Sequence, residues 1–114
     1  MDNRKKENLA KAGVDVEDGI ARVLGNEELY EKLLGKFLKN ESLQAAKTEI
    51  GRGDLGSARK HLHTLKGLAA NLGMERLRAE SAEAESALKN GREPENMESL
   101  QKSYQDIVEI LVKE

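Results

Sequence analysis

The sequence has no cysteine, no tryptophan, one proline and only 3% aromatic residues. Without cysteine, a disulfide framework and a thiolate metal site are both excluded. The scarcity of aromatic residues and proline, in a chain rich in glutamate, lysine, leucine and alanine, favours helices over sheet. The 114 residues suit one domain with its own hydrophobic core.

Long apolar runs and a large excess of one charge are also missing. No segment approaches the ~20 apolar residues of a membrane-spanning helix, and no signal peptide opens the chain. The formal net charge is only −2, so the overall charge does not attract the protein to nucleic acid. We therefore expect a cytoplasmic, monomeric protein that binds neither membranes nor nucleic acid.

Helical patterns separated by short turn signals fill the chain. Residues 1–12 are polar and are predicted to be flexible or to form a short helix. Long amphipathic helices joined by short connections are expected to pack against each other in antiparallel pairs. Residues 13–114 are therefore predicted to form an all-α domain, an antiparallel four-helix bundle with a short extra N-terminal helix.

Several local signals predict where these helices begin and end. Asp15 and Asp54 stand where N-cap residues accept hydrogen bonds from the first helical turn. The apolar pattern drifts after Asn40, which predicts a bend or restart by Ser42. Pro94 is expected in the first turn of the last helix, where proline costs no hydrogen bond.

The clearest helix is predicted for residues 55–72, with Gly73 as its C-terminal cap. Its apolar residues recur at spacings of three and four, which places them on one buried face: Leu55, Ala58, Leu62, Leu65, Ala69 and Leu72. This helix contains both histidines of the protein. At 100° per residue, His63 lies about 130° from the core direction and faces solvent, whereas His61 lies about 70° away, on the flank.

The surface around His63 combines small residues with positive charge. Its neighbours one or two turns away are Gly56, Arg59, Lys60, Lys66, Gly67 and Ala70. A neutral imidazole is a nucleophile near pH 7, and cations stabilise the charge that develops on phosphoryl oxygens. This surface therefore suits phosphoryl chemistry, with Lys66 contacting the oxygens and Gly67 leaving room for a donor protein. Partner docking is expected at Gly56, Arg59, Lys60 and Ala70. The simpler alternative is an ordinary histidine on a solvated, charged helix face.

The segment "HLHTLKGLAANLG" resembles the signature of histidine-containing phosphotransfer domains, the HPt family. The similarity extends beyond this motif. "VDVEDGIARVLGNEELYEKLLGKFLKN" resembles the N-terminal part of the family, and "GDLGSARKHLH" resembles the approach to its active histidine. "LRAESAEAESALKNG" resembles the helix that follows, so the resemblance covers roughly residues 13–112.

The resemblance implies a four-helix bundle that accepts a phosphoryl group from the aspartate of one receiver domain and passes it to another. It identifies His63 as the phosphorylated residue, Lys66 as the supporting lysine and Gly67 as the small residue that keeps the site open. A hybrid sensor histidine kinase is a further expected partner. No cofactor is expected on this chain, because Mg²⁺ would be bound by the receiver, and the protein would act as a carrier rather than an enzyme.

Two other functions share some of these features. The phosphoacceptor module of chemotaxis-type histidine kinases shares the "HxxKG" core, and usually has a glutamate and a further histidine in the next helix. This chain has Glu85 there, but no histidine in residues 74–91. A non-catalytic adaptor bundle is another alternative. His61 and His63 point about 160° apart on a helix, which argues against a shared metal ion, so His61 is interpreted as structural or incidental.

Overall fold

The computed structural model describes residues 1–113, which form seven helices and no strand beyond one isolated antiparallel bridge between Val14 and Met74. The all-α class predicted from the sequence is confirmed. The helices are α1 (Asn3–Lys11), α2 (Val16–Ala21), α3 (Glu27–Phe37), α4 (Ser42–Gly51), α5 (Leu55–Asn71), α6 (Glu75–Lys89) and α7 (Met97–Lys113).

The polar N-terminal segment forms helix α1, one of the two alternatives predicted for residues 1–12. The carboxylate of Asp2 caps α1 by accepting a hydrogen bond from the Lys5 backbone N–H, 2.8 Å away. Leu9 is completely buried, and it belongs to the same apolar core as the residues of the later helices. Helix α1 therefore packs onto the rest of the domain, where it contacts α2 and α7.

The predicted restart in the middle of the longest segment is present. Helix α3 ends at Phe37 and α4 begins at Ser42. The Asn40 side chain occupies the break: its amide oxygen accepts a hydrogen bond from the Ser42 backbone N–H at 3.1 Å, and its amide nitrogen donates to the Tyr104 hydroxyl at 3.2 Å. Asn40 thereby connects the break to α7.

The start of the last helix differs from the prediction. Pro94 lies outside α7, which begins at Met97. Asn96 provides the entry instead, because its carbonyl oxygen accepts the Leu100 backbone N–H at 2.9 Å and its side-chain nitrogen donates to the Glu80 carbonyl oxygen at 2.9 Å. The expectation that Pro94 lies in the first turn is therefore wrong.

Contacts with α2 and α3 fix the C-terminal end of helix α5. The buried Tyr30 hydroxyl donates a hydrogen bond to the Leu72 carbonyl oxygen at 2.7 Å, and burial raises the pKa of this phenol, which keeps it a donor. Gly73 has a φ of +73°, and a Cβ there would lie 2.2 Å from the Asp15 carbonyl oxygen. The Asp15 backbone N–H donates to the Gly73 carbonyl oxygen at 2.7 Å. These contacts fix the α5–α6 turn against the start of α2.

Candidate functional site

The orientation of α5 determines which side chains reach the surface. Asp54 caps the helix, with its carboxylate accepting the Ser57 backbone N–H at 3.0 Å, as predicted. The predicted apolar face is buried, except that Leu55 is only partly covered. Helix α5 packs against α4 and α6, and these are the two most extensive helix–helix contacts in the described chain. With this rotation fixed, the His63 side chain is 68% exposed, in agreement with the prediction that it faces solvent.

The His63 imidazole is held by a carboxylate from the neighbouring helix. Its Nδ1 lies 3.0 Å from Oε2 of Glu85 on α6. The other carboxylate oxygen, Oε1, lies 2.7 Å from the Lys66 ammonium nitrogen. The Glu85 side chain is only 10% exposed, so it forms the floor of a small cluster that His63 and Lys66 cover from α5.

Burial alone would raise the pKa of the Glu85 carboxyl, but hydrogen bonds and charges from Lys66 and His63 outweigh burial and lower it below its ordinary value. Glu85 is therefore ionised at neutral pH. An ionised carboxylate can only accept hydrogen bonds, so it favours the imidazole tautomer that has its proton on Nδ1. The lone pair is then on Nε2, the ring nitrogen that Glu85 leaves unoccupied.

The surface beside His63 is open, as the glycines in this helix predicted. A Cβ added to Gly67 would meet no atom within 4 Å beyond the backbone of its own helix. A Cβ on Gly56 would have only ordinary contact, 3.8 Å, with Asp54 Oδ1. Since neither glycine is required by packing inside the molecule, the helix penalty of about 1 kcal/mol at Gly67 is not explained by an internal contact.

The other residues predicted to surround His63 divide into two groups. Gly56 and Lys60 are exposed and Ala70 is half-buried, so all three contribute to the outer surface of α5. Arg59 is 44% exposed, but its Nε lies 3.9 Å from Glu85 Oε2, so this side chain points toward the cluster. Arg59 therefore differs from the residues that only line the surface.

His61 is separate from this cluster. It is half-buried, as expected for a residue on the flank of the helix, and makes no hydrogen bond or ion pair within residues 1–113. Within the same described residues, no group of three or more histidine, cysteine or acidic side chains is arranged to hold a metal ion.

From the sequence, Glu85 is only a feature shared with the chemotaxis-type family, and its contact with His63 is not predicted. The sequence contains one signal for this contact: Glu85 lies on α6 about 70° from the centre of the buried face. Lys66 lies at the same angle from the buried face of α5. Two flanking residues of opposite charge on adjacent helices are candidates for an ion pair, but the sequence leaves the relative rotation of the helices open.

Comparison with known proteins agrees with the resemblance found in the sequence. The family model for the Hpt domain matches residues 32–113, which is more than half of the chain. No curated protein and no solved structure shows a significant match. Among the described residues, no helix is both long and apolar enough to cross a membrane.

Proposed function

This chain belongs to the Hpt domain family, and we propose from that premise that it accepts a phosphoryl group on His63 from a receiver-domain aspartate and passes it to a second receiver. Histidine phosphotransfer in phosphorelay signalling is the activity of this family. The observation that supports His63 as the carrier is its geometry: the side chain is 68% exposed, and the buried Glu85 carboxylate contacts Nδ1, which leaves Nε2 as the ring nitrogen not engaged by Glu85.

The transfer step can be written for this geometry. The Nε2 lone pair attacks phosphorus, an Nε2–P bond forms, and the P–O bond to the partner's aspartyl group breaks, with the electron pair leaving on that carboxylate. As Nε2 forms its bond, the ring gains positive charge while Nδ1 retains its proton. Glu85 lies 3.0 Å from Nδ1, so its negative charge stabilises this developing imidazolium. Transfer to the second receiver is the reverse reaction with a new aspartate.

Lys66 is proposed to bind the phosphoryl oxygens. Its ammonium group already lies beside the histidine, and its flexible stem allows it to leave Glu85 for a stronger anion. The chain is proposed to bind no cofactor, and Mg²⁺ would be held by the receiver. The protein is thus proposed to act as a carrier and substrate, with chemistry completed only in the complex.

The proposed setting follows from the same family. We expect an antiparallel four-helix bundle, with α3 and α4 as one interrupted helix, working as a monomer in the cytoplasm. The open surface formed by Gly56, Lys60, Gly67 and Ala70 is proposed to contact the receiver, and a hybrid sensor kinase is a further candidate partner. The basic side chain of Lys60 on this surface suits the acidic phosphorylation site expected of a receiver.

A second candidate function is the phosphoacceptor module of a chemotaxis-type histidine kinase. The Glu85 contact with His63 favours it, because a glutamate in the following helix is usual in that family. The absence of a histidine in residues 74–91 argues against it. The two functions differ in the phosphoryl donor: a phosphorylated receiver in the first, and ATP with a separate kinase domain in the second.

The experiment is to mix the protein with a radiolabelled, phosphorylated receiver and analyse the phosphoprotein formed. We expect a label that is lost in acid and retained in base, as for phosphohistidine. His63→Gln should abolish labelling. The matched variant His61→Gln, two residues earlier on the flank of the same helix, should be labelled normally. Labelling that persists in His63→Gln would contradict the assignment of the site.

A further inference from the structure

One buried carboxylate faces three basic side chains of a single helix. Lys66 and His63 make contacts of 2.7 and 3.0 Å with Glu85, while Arg59 Nε remains 3.9 Å from Oε2. A distance of 3.9 Å is too long for a hydrogen bond, so Arg59 contributes its charge here without occupying a lone pair of the carboxylate. The inference rests on the proposed function, in which Arg59 has no role.

The phosphorylated state creates a conflict for Lys66. This lysine is proposed to bind the phosphoryl group, yet in the unphosphorylated protein it makes the shortest contact of Glu85. If Lys66 moves to the phosphoryl oxygens, Glu85 keeps its bond to His63 but loses its principal cation. A carboxylate that is only 10% exposed is costly to leave without a compensating cation.

We infer that Arg59 is a positioning residue that replaces Lys66 on Glu85 when His63 carries the phosphoryl group. Arg59 lies one turn before His63 and Lys66 one turn after it, so both reach the same carboxylate from opposite sides of the histidine. Arg59 is 44% exposed and needs to move by about 1 Å to form a hydrogen bond. The exchange involves ion pairs only, and no covalent bond changes.

The exchange has a measurable consequence for the phosphohistidine. A phosphoryl group leaves more readily from a protonated ring, and an uncompensated Glu85 would stabilise the proton on Nδ1 of His63. Without Arg59, Lys66 would also be divided between two anions. The first effect makes the ring a better leaving group, and the second weakens the contact of Lys66 with the phosphoryl group. We expect both to accelerate hydrolysis of the Nε2–P bond by water when Arg59 is lost.

The test is the rate of phosphohistidine hydrolysis in the full-length protein, phosphorylated directly with phosphoramidate so that no receiver is needed. We expect Arg59→Gln to hydrolyse about threefold faster or more, which corresponds to the usual coupling between neighbouring charged groups. Arg92→Gln is the matched control, because it makes the same substitution at an exposed arginine that has no ion pair to Glu85 within residues 1–113. Its hydrolysis rate should equal that of the unmodified protein.

Two further variants test whether the effect runs through Glu85. In a Glu85→Gln background, adding Arg59→Gln should change the hydrolysis rate no further. If Arg59 had only a structural role, the substitution would still change the rate in that background. Arg59→Lys keeps the charge and should restore slow hydrolysis. Equal rates for Arg59→Gln and Arg92→Gln would overturn the inference. So would an effect that persists without the Glu85 charge, or a failure of Arg59→Lys to restore slow hydrolysis.

Failure of the inference can be told apart from failure of the proposed function. If the unmodified protein forms no phosphohistidine at His63 with either phosphoramidate or a phosphorylated receiver, the proposed function is wrong and the inference falls with it. If phosphohistidine forms normally but Arg59→Gln leaves its lifetime unchanged, the carrier function stands and only the role of Arg59 is lost.

Discussion

Gly73 and Gly67 lie close together in the chain, but the surrounding structure constrains only Gly73. Gly73 has a positive φ, and the Asp15 carbonyl oxygen occupies the space that a Cβ would need. Gly67 lies inside a regular helix with empty space around it. The comparison separates a glycine required by the fold from one that the fold does not require, and the second lies beside the proposed phosphorylation site.

The largest expected effect comes from adding a side chain at Gly73, where the space for a Cβ is already occupied. Gly73→Ala should lower the free energy of unfolding by about 3 kcal/mol, since the alanine Cβ would combine a left-handed backbone with a contact of 2.2 Å. Gly91→Ala is the matched control, because Gly91 has nearly the same φ, +74°, and open space around it. It should lose only about 1 kcal/mol in denaturant unfolding.

Equal losses in these two variants would contradict the view that the Asp15 contact, rather than backbone conformation alone, makes Gly73 necessary.

A side chain added at Gly67 should change the stability in the opposite direction. Gly67→Leu should raise the free energy of unfolding by roughly 0.5–1 kcal/mol, because leucine is a better helix former and meets no obstacle. The same variant should slow phosphotransfer from a receiver about tenfold, since the new side chain blocks the partner. Thermal unfolding and the rate of transfer are the two measurements.

Gly35 provides the control for this pair of effects. It is an exposed glycine inside α3 with no atom within 4 Å of an added Cβ, apart from its own helix. Gly35→Leu should therefore stabilise the protein to a similar extent and leave phosphotransfer unchanged. If Gly67→Leu transfers phosphate as fast as Gly35→Leu, Gly67 has no role in admitting the receiver.

The smallest expected effect is the contribution of Glu85 to stability as pH changes. Its pKa is lowered in the folded protein, so its stabilising contribution is present above the unfolded-state pKa and is lost as pH falls through the folded-state value. The stability advantage of the native protein over Glu85→Gln, about 1 kcal/mol or less, should therefore shrink as the pH falls from 7 through and below about 4.3, the ordinary glutamate pKa.

Glu83→Gln removes an exposed glutamate from the same helix and should show no comparable pH dependence in urea unfolding. A constant difference between the native protein and Glu85→Gln across this range would mean that Glu85 makes no net favourable ion pair.

Local features of the structure could be predicted from the sequence with good accuracy. The apolar spacing of α5 predicted residues 55–72, and the helix spans Leu55–Asn71 with Asp54 as its cap. Capping and periodicity depend on residues within a few positions of each other, so a single segment contains the information. The same local reasoning was wrong for Pro94, because the interaction that starts α7 comes from Asn96 reaching across to α6.

The site could be predicted only in part. The exposure of His63 follows from the helical wheel, and the family resemblance supplied its proposed role. Its contact with Glu85 joins residues far apart in sequence and depends on how α5 and α6 rotate against each other. The Gly73 cap could likewise be predicted, whereas its contact with Asp15 could not, because that contact exists only after α2 packs against the α5–α6 turn.

The most direct test of the account is a nitrogen-15 NMR spectrum of the histidine side chains in the phosphorylated protein. We predict that the phosphoryl group is bonded to Nε2 of His63, that Nδ1 of the same ring bears the proton facing Glu85, and that His61 is unmodified. Phosphorylation at Nδ1 of His63, or at His61, would contradict it.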